Sequence, residues 1–246
     1  MTDPNARTPQ QSSDGSRLSR VDWSSLERDL NAFGNGVISQ LLSKSECVAM
    51  ASMYEDVERF RKTVVMARHN FGRGEYRYFD YPLPHTVQQM REAFYSRLAP
   101  IANRWNSAMG IERVYPDRLT EYLNSCAAVG QTQATPLLLR YAADDYNCLH
   151  QDLYGESIFP LQLAVQLNDP NTDFEGGEFV MTEQRPRMQS RAEVIALQQG
   201  DAVIFPVHNR PVKGSRGYYR VNMRHGVSRV RSGNRNTLGI IFHDAK

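Results

Sequence analysis

His150 and Asp152 stand two residues apart in the run Leu149-His150-Gln151-Asp152-Leu153-Tyr154. In an extended backbone, residues i and i+2 point to the same face, so an imidazole and a carboxylate at this spacing can reach one metal ion. Alone the pair is a weak signal, because a chain with six histidines meets such a spacing easily by chance. A metal held there needs further ligands. Among the other histidines, His208 sits in the polar run His208-Asn209-Arg210-Pro211 and His243 lies three residues from the end of the chain. His225, which follows the segment Tyr219-Arg220-Val221-Asn222-Met223, is the strongest candidate.

Two imidazoles and one carboxylate on one face of an octahedron leave three positions open, an arrangement suited to Fe(II) and oxygen chemistry. Ten residues beyond His225 comes Arg235, with Thr237 two further on. The same i, i+2 relation puts guanidinium and hydroxyl on one strand face, where the guanidinium fork can grip a carboxylate.

These groups need a scaffold. At 246 residues the chain is long enough for one sizeable core. Residues 1–19 are polar and poor in aromatics, and read as a disordered tail before one domain, 20–246. Within it, 20–135 reads as helical support. Asp22 caps a helix that Gly34 and Gly36 end, and Ser43 or Ser45 opens a second helix carrying Cys47, Met50, Met53, Tyr54 and Val57. Strands are expected at Thr63 to Ala67 and Tyr76 to Tyr81, then a helix or a helix pair bent at Pro100 between Pro84 and Gly110. From 136 to 246 the texture is short strands: Leu137 to Ala142, Pro160 to Leu167, Glu178 to Thr182, Glu193 to Leu197, Ala202 to Pro206, Tyr219 to Met223 and Thr237 to His243. Turns are expected at Asn168-Asp169-Pro170, Glu175-Gly176-Gly177, Gln199-Gly200-Asp201 and Ser232-Gly233-Asn234. Gln162 and Gln166 alternate with the apolar positions of their strand. Strands at this spacing predict a mainly β (α+β) protein, a sandwich or jelly roll with the helices packed against it.

Three unpaired cysteines, no apolar run of membrane-spanning length and no apolar signal core point to a cytoplasmic protein without a membrane partner. Residues 185–235 hold eleven Arg and Lys against Glu193 and Asp201, a local excess of nine positive charges. Such an excess can neutralise phosphates or be a solvated face.

The ordered set His150-Gln151-Asp152, His225 and Arg235-Asn236-Thr237 resembles the Fe(II)- and 2-oxoglutarate-dependent dioxygenases. Their signature is His-x-Asp, a distal His and a basic residue about ten positions later. The resemblance covers roughly residues 136–243. A bacterial family within that superfamily is similar over nearly the whole chain past the tail, through His150 to Gly155, Thr182 to Arg191 and Gly239 to Asp244. The resemblance implies a double-stranded β-helix. It also implies iron on His150, Asp152 and His225, 2-oxoglutarate held by Arg235 and Thr237, and O2 as the oxidant. Tyr141 and Asn147 fall where related enzymes contribute contacts to the cosubstrate or to the metal ligands. The implied activity is oxidative decarboxylation of 2-oxoglutarate coupled to hydroxylation of a substrate. That bacterial family is grouped with oxygenases that demethylate damaged DNA, which would make nucleic acid the partner of the basic stretch. The ten-residue gap to Arg235 is closer to the prolyl-hydroxylase branch, so a hydroxylase of a protein side chain or small molecule stands beside it. A non-catalytic binding or sensing module is the third reading.

Overall fold

The structure, a computed structural model, describes residues 18–153 and 155–246. The expected tail lies, through residue 17, outside the described residues. Helices α1 (Trp23–Phe33), α2 (Lys44–Ser52), α3 (His85–Ala108) and α4 (Leu119–Ala128) precede most of the strands. These run β1 (Gly36–Ile38), β2 (Phe60–Val65), β3 (Gly72–Arg73), β4 (Glu75–Phe79), β5 (Leu137–Tyr141), β6 (Tyr146–His150), β7 (Leu161–Gln166) and β8 (Phe174–Gly176). They continue as β9 (Phe179–Gln184), β10 (Arg191–Ile195), β11 (Ala202–Pro206), β12 (Asn209–Gly214), β13 (Gly217–Val227), β14 (Val230–Gly233) and β15 (Arg235–Ile240).

Local chemistry explains the helix ends. Asp22 accepts from the Ser25 backbone N–H at 2.9 Å, and Gly34 closes α1 in the left-handed region at φ 82°. Ser43 and Glu46 cap α2 reciprocally. That second helix stops at Ser52, and Met53 to Arg59 turn as short 3-10 segments instead. α3 continues through Pro100 as one helix, with Leu98, Ala99, Ile101, Ala102 and Trp105 on both sides of the proline buried in one core. α4 carries no N-cap side-chain bond, which is why no start signal for it is visible in the sequence.

Two antiparallel sheets face each other. One has the order β1-β11-β7-β15-β5-β4-β2, the other β10-β9-β13-β6-β3 with β12 also paired to β13, and β8 and β14 form a small separate pair. The outer face of the first sheet, through Leu138, Leu163, Val165, Ile204, Leu238 and Ile240, packs with Leu30, Phe94, Leu98 and Trp105 of the helices. Its inner face meets the second sheet at Ala164, Val203 and Phe205 against Phe179, Met181, Val221 and Met223. The fold is mainly β with the layering of a jelly roll. Among the described residues no helix is long and apolar enough to cross a membrane.

Pairing moved several expected boundaries. β12 begins at Asn209, inside the run read as a polar loop, and β8 and β14 run into the turns expected at Glu175 to Gly177 and Ser232 to Asn234, ending at Gly176 and Gly233 with positive φ at Gly176, Gly177 and Gly233. β13 extends to Val227, so His225 lies within the strand, held by β9 on one side and β6 on the other. β15 begins at Arg235 rather than Thr237, because Arg235 pairs with Tyr141 across the ladder.

One irregularity matters for the site. His225 pairs with His150 and Val227 with Asn147, so β6 spends three residues where β13 spends two. A bulge of this kind re-aims side chains, and here it lets Asn147 and His150, three apart, border one cavity. It depends on Gly226, where an added Cβ would lie 2.6 Å from the Asn147 carbonyl oxygen. Gly226→Ala is therefore expected to leave a folded protein whose Mn(II) affinity falls at least about tenfold, from displacement of His150; titration calorimetry reads it, and unchanged affinity would show that the bulge does not set the site. A second constraint ties α3 to the end of the chain. Arg91 is fully buried and donates to the Ile241 carbonyl at 2.9 Å, the Tyr81 hydroxyl at 2.7 Å and Asp244 at 2.8 Å. Arg91→Ala leaves Asp244 buried without this partner and is expected to cost about 3–5 kcal/mol in a denaturant titration.

Candidate active site

The bulged pair β6–β13 presents His150 and His225 as direct cross-strand neighbours with ring centroids 4.2 Å apart. Asp152 lies two residues past the end of β6, and the intervening Gln151, which also borders the cavity, donates to the Met223 carbonyl at 2.8 Å and to Asn222 at 3.1 Å. That anchoring separates the two ligand side chains from the one between them. One carboxylate oxygen of Asp152 is 3.5 Å from His150 Nε2 and the other 3.3 Å from His225 Nε2. Among the described residues these three form the group whose ligand atoms all lie within 4.8 Å of one another. An octahedral ion with bonds of about 2.1 Å sets neighbouring ligand atoms roughly 3 Å apart, so the donor set fits a metal with little movement.

Electrostatics favour the ligating forms of Asp152 and His225, whereas His150 is raised: burial lowers it, but the hydrogen bond and charge of Asp152 outweigh burial. Burial alone would push Asp152 up, but its hydrogen bonds with the two imidazoles and their electrostatic pull outweigh it and hold the carboxyl well below its usual range. Burial lowers His225, as does the neighbouring His150, so its imidazole is neutral near neutral pH. His150 donates from Nδ1 to the Cys148 carbonyl at 2.8 Å, which leaves Nε2 as the lone-pair nitrogen facing Asp152. His208 and His243 are not part of this group; His243 is buried and accepts from the Phe159 N–H at 3.2 Å.

The other four residues read from the sequence border the same cavity, about 180 Å³ in volume. Arg235 opens β15, is 2% exposed, and donates to the Thr237 hydroxyl at 2.6 Å, as the i, i+2 spacing requires. Its guanidinium carbon lies 5.6 Å from the centre of the Tyr141 ring. Asn147 donates to the Tyr141 hydroxyl at 3.3 Å. Arg235 has no carboxylate partner among the described residues, and its Nε has no hydrogen-bond partner among them either. Burial drives its pKa down to about 10. A buried cation in that state calls for an anion.

Sequence reasoning missed several lining residues. Phe71, Tyr76, Leu137, Leu139 and Ile241 make an apolar wall, and Gln162 reaches in from the same sheet as Tyr76, Leu137 and Leu139. Gln162 and Gln166 do alternate with the apolar face of β7, but both are buried, and the polar side of the strand faces the interior rather than solvent.

The basic stretch is not one surface. Arg185, Arg191 and Arg210 converge on buried Glu183, with Arg210 also bonding the Asn31 and Ala32 carbonyls at the end of α1. Arg220 bonds the Met109 carbonyl, Arg229 pairs with Asp144 and Arg231 with Glu178.

Known proteins resemble this chain at three levels. A family model described as an oxygenase catalysing oxidative methylation of damaged DNA matches residues 74–245. An uncharacterised protein of Mycobacterium tuberculosis H37Rv is 48% identical over 167 residues, 68% of this chain and 72% of that protein. A prolyl hydroxylase from Trichoplax adhaerens, solved with a hypoxia-inducible-factor peptide fragment, superposes with a TM-score of 0.57 at 13% identity, covering 96% of this chain and 94% of the other. A 2OG-Fe(II) oxygenase family oxidoreductase from Burkholderia pseudomallei gives 0.51 at 16% identity over 92% and 94%. At such identities the structural likeness is one of fold, and the family model and the relative carry the assignment: the chain belongs to the oxygenase family whose model spans residues 74–245.

Proposed function

We propose that this protein is an Fe(II)- and 2-oxoglutarate-dependent dioxygenase, formed by one domain from residue 20 to 246 and working in the cytoplasm. The observation that carries the reading is the coincidence, in one cavity, of a His-Asp-His ligand set and a buried arginine with no carboxylate of its own. His150, Asp152 and His225 would hold the iron. Arg235 and Thr237 would grip the far carboxylate of 2-oxoglutarate, satisfying the guanidinium that burial otherwise leaves short of a partner. Tyr141, stacked beside Arg235 and bonded to Asn147, would fix the depth at which that carboxylate sits. When bound, iron and 2-oxoglutarate supply the oxidising power from O2, releasing succinate and carbon dioxide. The wall of Tyr76, Leu137, Leu139 and Ile241 keeps bulk water out, which preserves the oxidant for the substrate.

Two substrate classes are each supported by an observation. The family description names damaged DNA, and Arg187, Lys213, Arg216 and Arg224 remain as basic side chains not engaged by a carboxylate among the described residues. Oxidative demethylation of a flipped base is the leading reading. The ten-residue spacing from His225 to Arg235 and the likeness in fold to a prolyl hydroxylase support hydroxylation of a protein side chain as the alternative.

Succinate release with Fe(II) and 2-oxoglutarate is the first measurement. His225→Ala is expected to abolish metal binding and turnover together, whereas Arg235→Met should retain the metal and raise KM for 2-oxoglutarate by about 30–100-fold, the worth of a charge-assisted hydrogen bond in a buried site. If His225→Ala keeps wild-type iron content, the ligand set is wrong. For the substrate, a methylated oligonucleotide should bind with an affinity that falls steeply as salt rises and should yield formaldehyde in step with succinate. Salt-indifferent binding without formaldehyde removes the nucleic-acid reading and leaves the hydroxylase.

A further inference from the structure

The inner face of the first sheet does not end at the cavity. Residues paired directly across a ladder share a face, and one row runs Ala164, Gly239, Leu137, Tyr78, Lys62 across β7, β15, β5, β4 and β2. The neighbouring row runs Thr237, Leu139, Tyr76, Val64. Gly239, Leu137, Leu139 and Tyr76 border the cavity, and Leu137 forms one apolar cluster with Tyr78, Val64 and Ile241. The cavity wall therefore continues to the edge strand β2. It ends there in Lys62, two strand spacings or roughly 10 Å from Leu137.

That edge is basic. From Phe60 to Lys62 β2 takes two steps while β4 takes one, from Phe79 to Tyr78. Such a bulge re-aims the extra side chain, and the Arg61 guanidinium carbon lies 4.7 Å from the centre of the Tyr78 ring. Arg61 is tied to the Ala134 carbonyl at 2.7 Å and to Gln133 at 2.6 Å. Lys62 is exposed and has no carboxylate partner among the described residues. Tyr76, partly buried and 5.3 Å from Tyr78 between ring centroids, stands between the cavity and this edge.

We propose that a single strand of nucleic acid enters over this edge, with Tyr76 stacking on the base delivered to the cavity and Lys62 taking the adjoining phosphate. The inference rests on the nucleic-acid reading given above. A nucleotide presents a planar base at one end and an anionic phosphate at the other, and the wall, the aromatic ring and the cation follow one another outward in that order. A lysine on an edge strand also discourages pairing with another chain, a role that would leave nucleic-acid binding unchanged.

A fluorescent single-stranded oligonucleotide with one methylated base, bound to protein loaded with Mn(II) and 2-oxoglutarate and followed by anisotropy at several salt concentrations, tests the assignment. In Lys62→Met the slope of log affinity against log salt is expected to flatten by about 0.7, the share of one phosphate on a single strand, and Lys62→Arg should restore it. Tyr76→Leu is expected to weaken binding about 10–100-fold with the slope unchanged, the effect of losing one stacked base. Melting midpoints show which variants are folded; Tyr76→Met replaces Tyr76→Leu if the latter is not. A wild-type slope in Lys62→Met overturns the role of Lys62, and wild-type affinity in Tyr76→Leu overturns the stacking. If the slope flattens instead in Arg187→Met or Arg216→Met, the phosphates lie on the basic stretch and the nucleic-acid reading survives without this edge. A polyglutamate peptide that binds more tightly than the oligonucleotide and is lost in Lys62→Met makes the edge an acidic-peptide site. A wild-type protein that binds no oligonucleotide overturns the nucleic-acid reading itself and this inference with it.

Discussion

The register between β6 and β13 is the constraint on which the rest of the site depends. Backbone pairing sets His225 opposite His150, and because side chains alternate with a period of two, a slip of one residue would send one imidazole to the outer face. A regular ladder would still leave Asn147 facing away from His150, and the bulge removes that conflict by inserting one residue into β6. Gly226 is what lets the partner strand approach closely enough, since any side chain there would meet the Asn147 carbonyl. Three of the site's groups are thus positioned by hydrogen bonds of the main chain, which are stiff and cooperative, rather than by loops.

The second organising fact is a set of polar groups that burial leaves incompletely satisfied. Arg235 keeps a hydrogen bond to Thr237 and the face of Tyr141, yet among the described residues its Nε has no partner, and His225 Nδ1 is likewise buried without one. Groups in this condition destabilise the free protein by an amount a ligand can recover, so the site trades stability for affinity. Glu183 draws in three arginines, and Arg91 is bonded through Ile241, Tyr81 and Asp244. What marks the cavity as functional on physical grounds is that an arginine without a carboxylate partner among the described residues and a metal-ligand set border the same space.

Much of this was legible from residue types because the chemistry is carried by short spacings. His150-Gln151-Asp152 and Arg235-Asn236-Thr237 are both i, i+2 pairs, and any extended backbone puts such pairs on one face. The β texture was legible for the same reason. Boundaries were less so: β12 was hidden by polar residues whose strand character comes only from pairing with β13, and α4 starts without a capping side chain. The charge excess of 185–235 was visible as a count but not as a surface, because Glu183, Glu178 and Asp144 are brought to those arginines from elsewhere in the chain.

The amino-acid sequence by itself determined the donor set, its order and the strand alternation, since these follow from identity and spacing along one chain. Only the tertiary structure decided that Tyr141 and Asn147 join Arg235 and the two histidines in one cavity, that Phe71, Tyr76 and Leu139 wall it, and that the polar face of β7 looks inward. Those outcomes depend on cross-strand register, a bulge and the packing of one sheet on the other. They arise between segments far apart in sequence, where no local spacing can encode a distance.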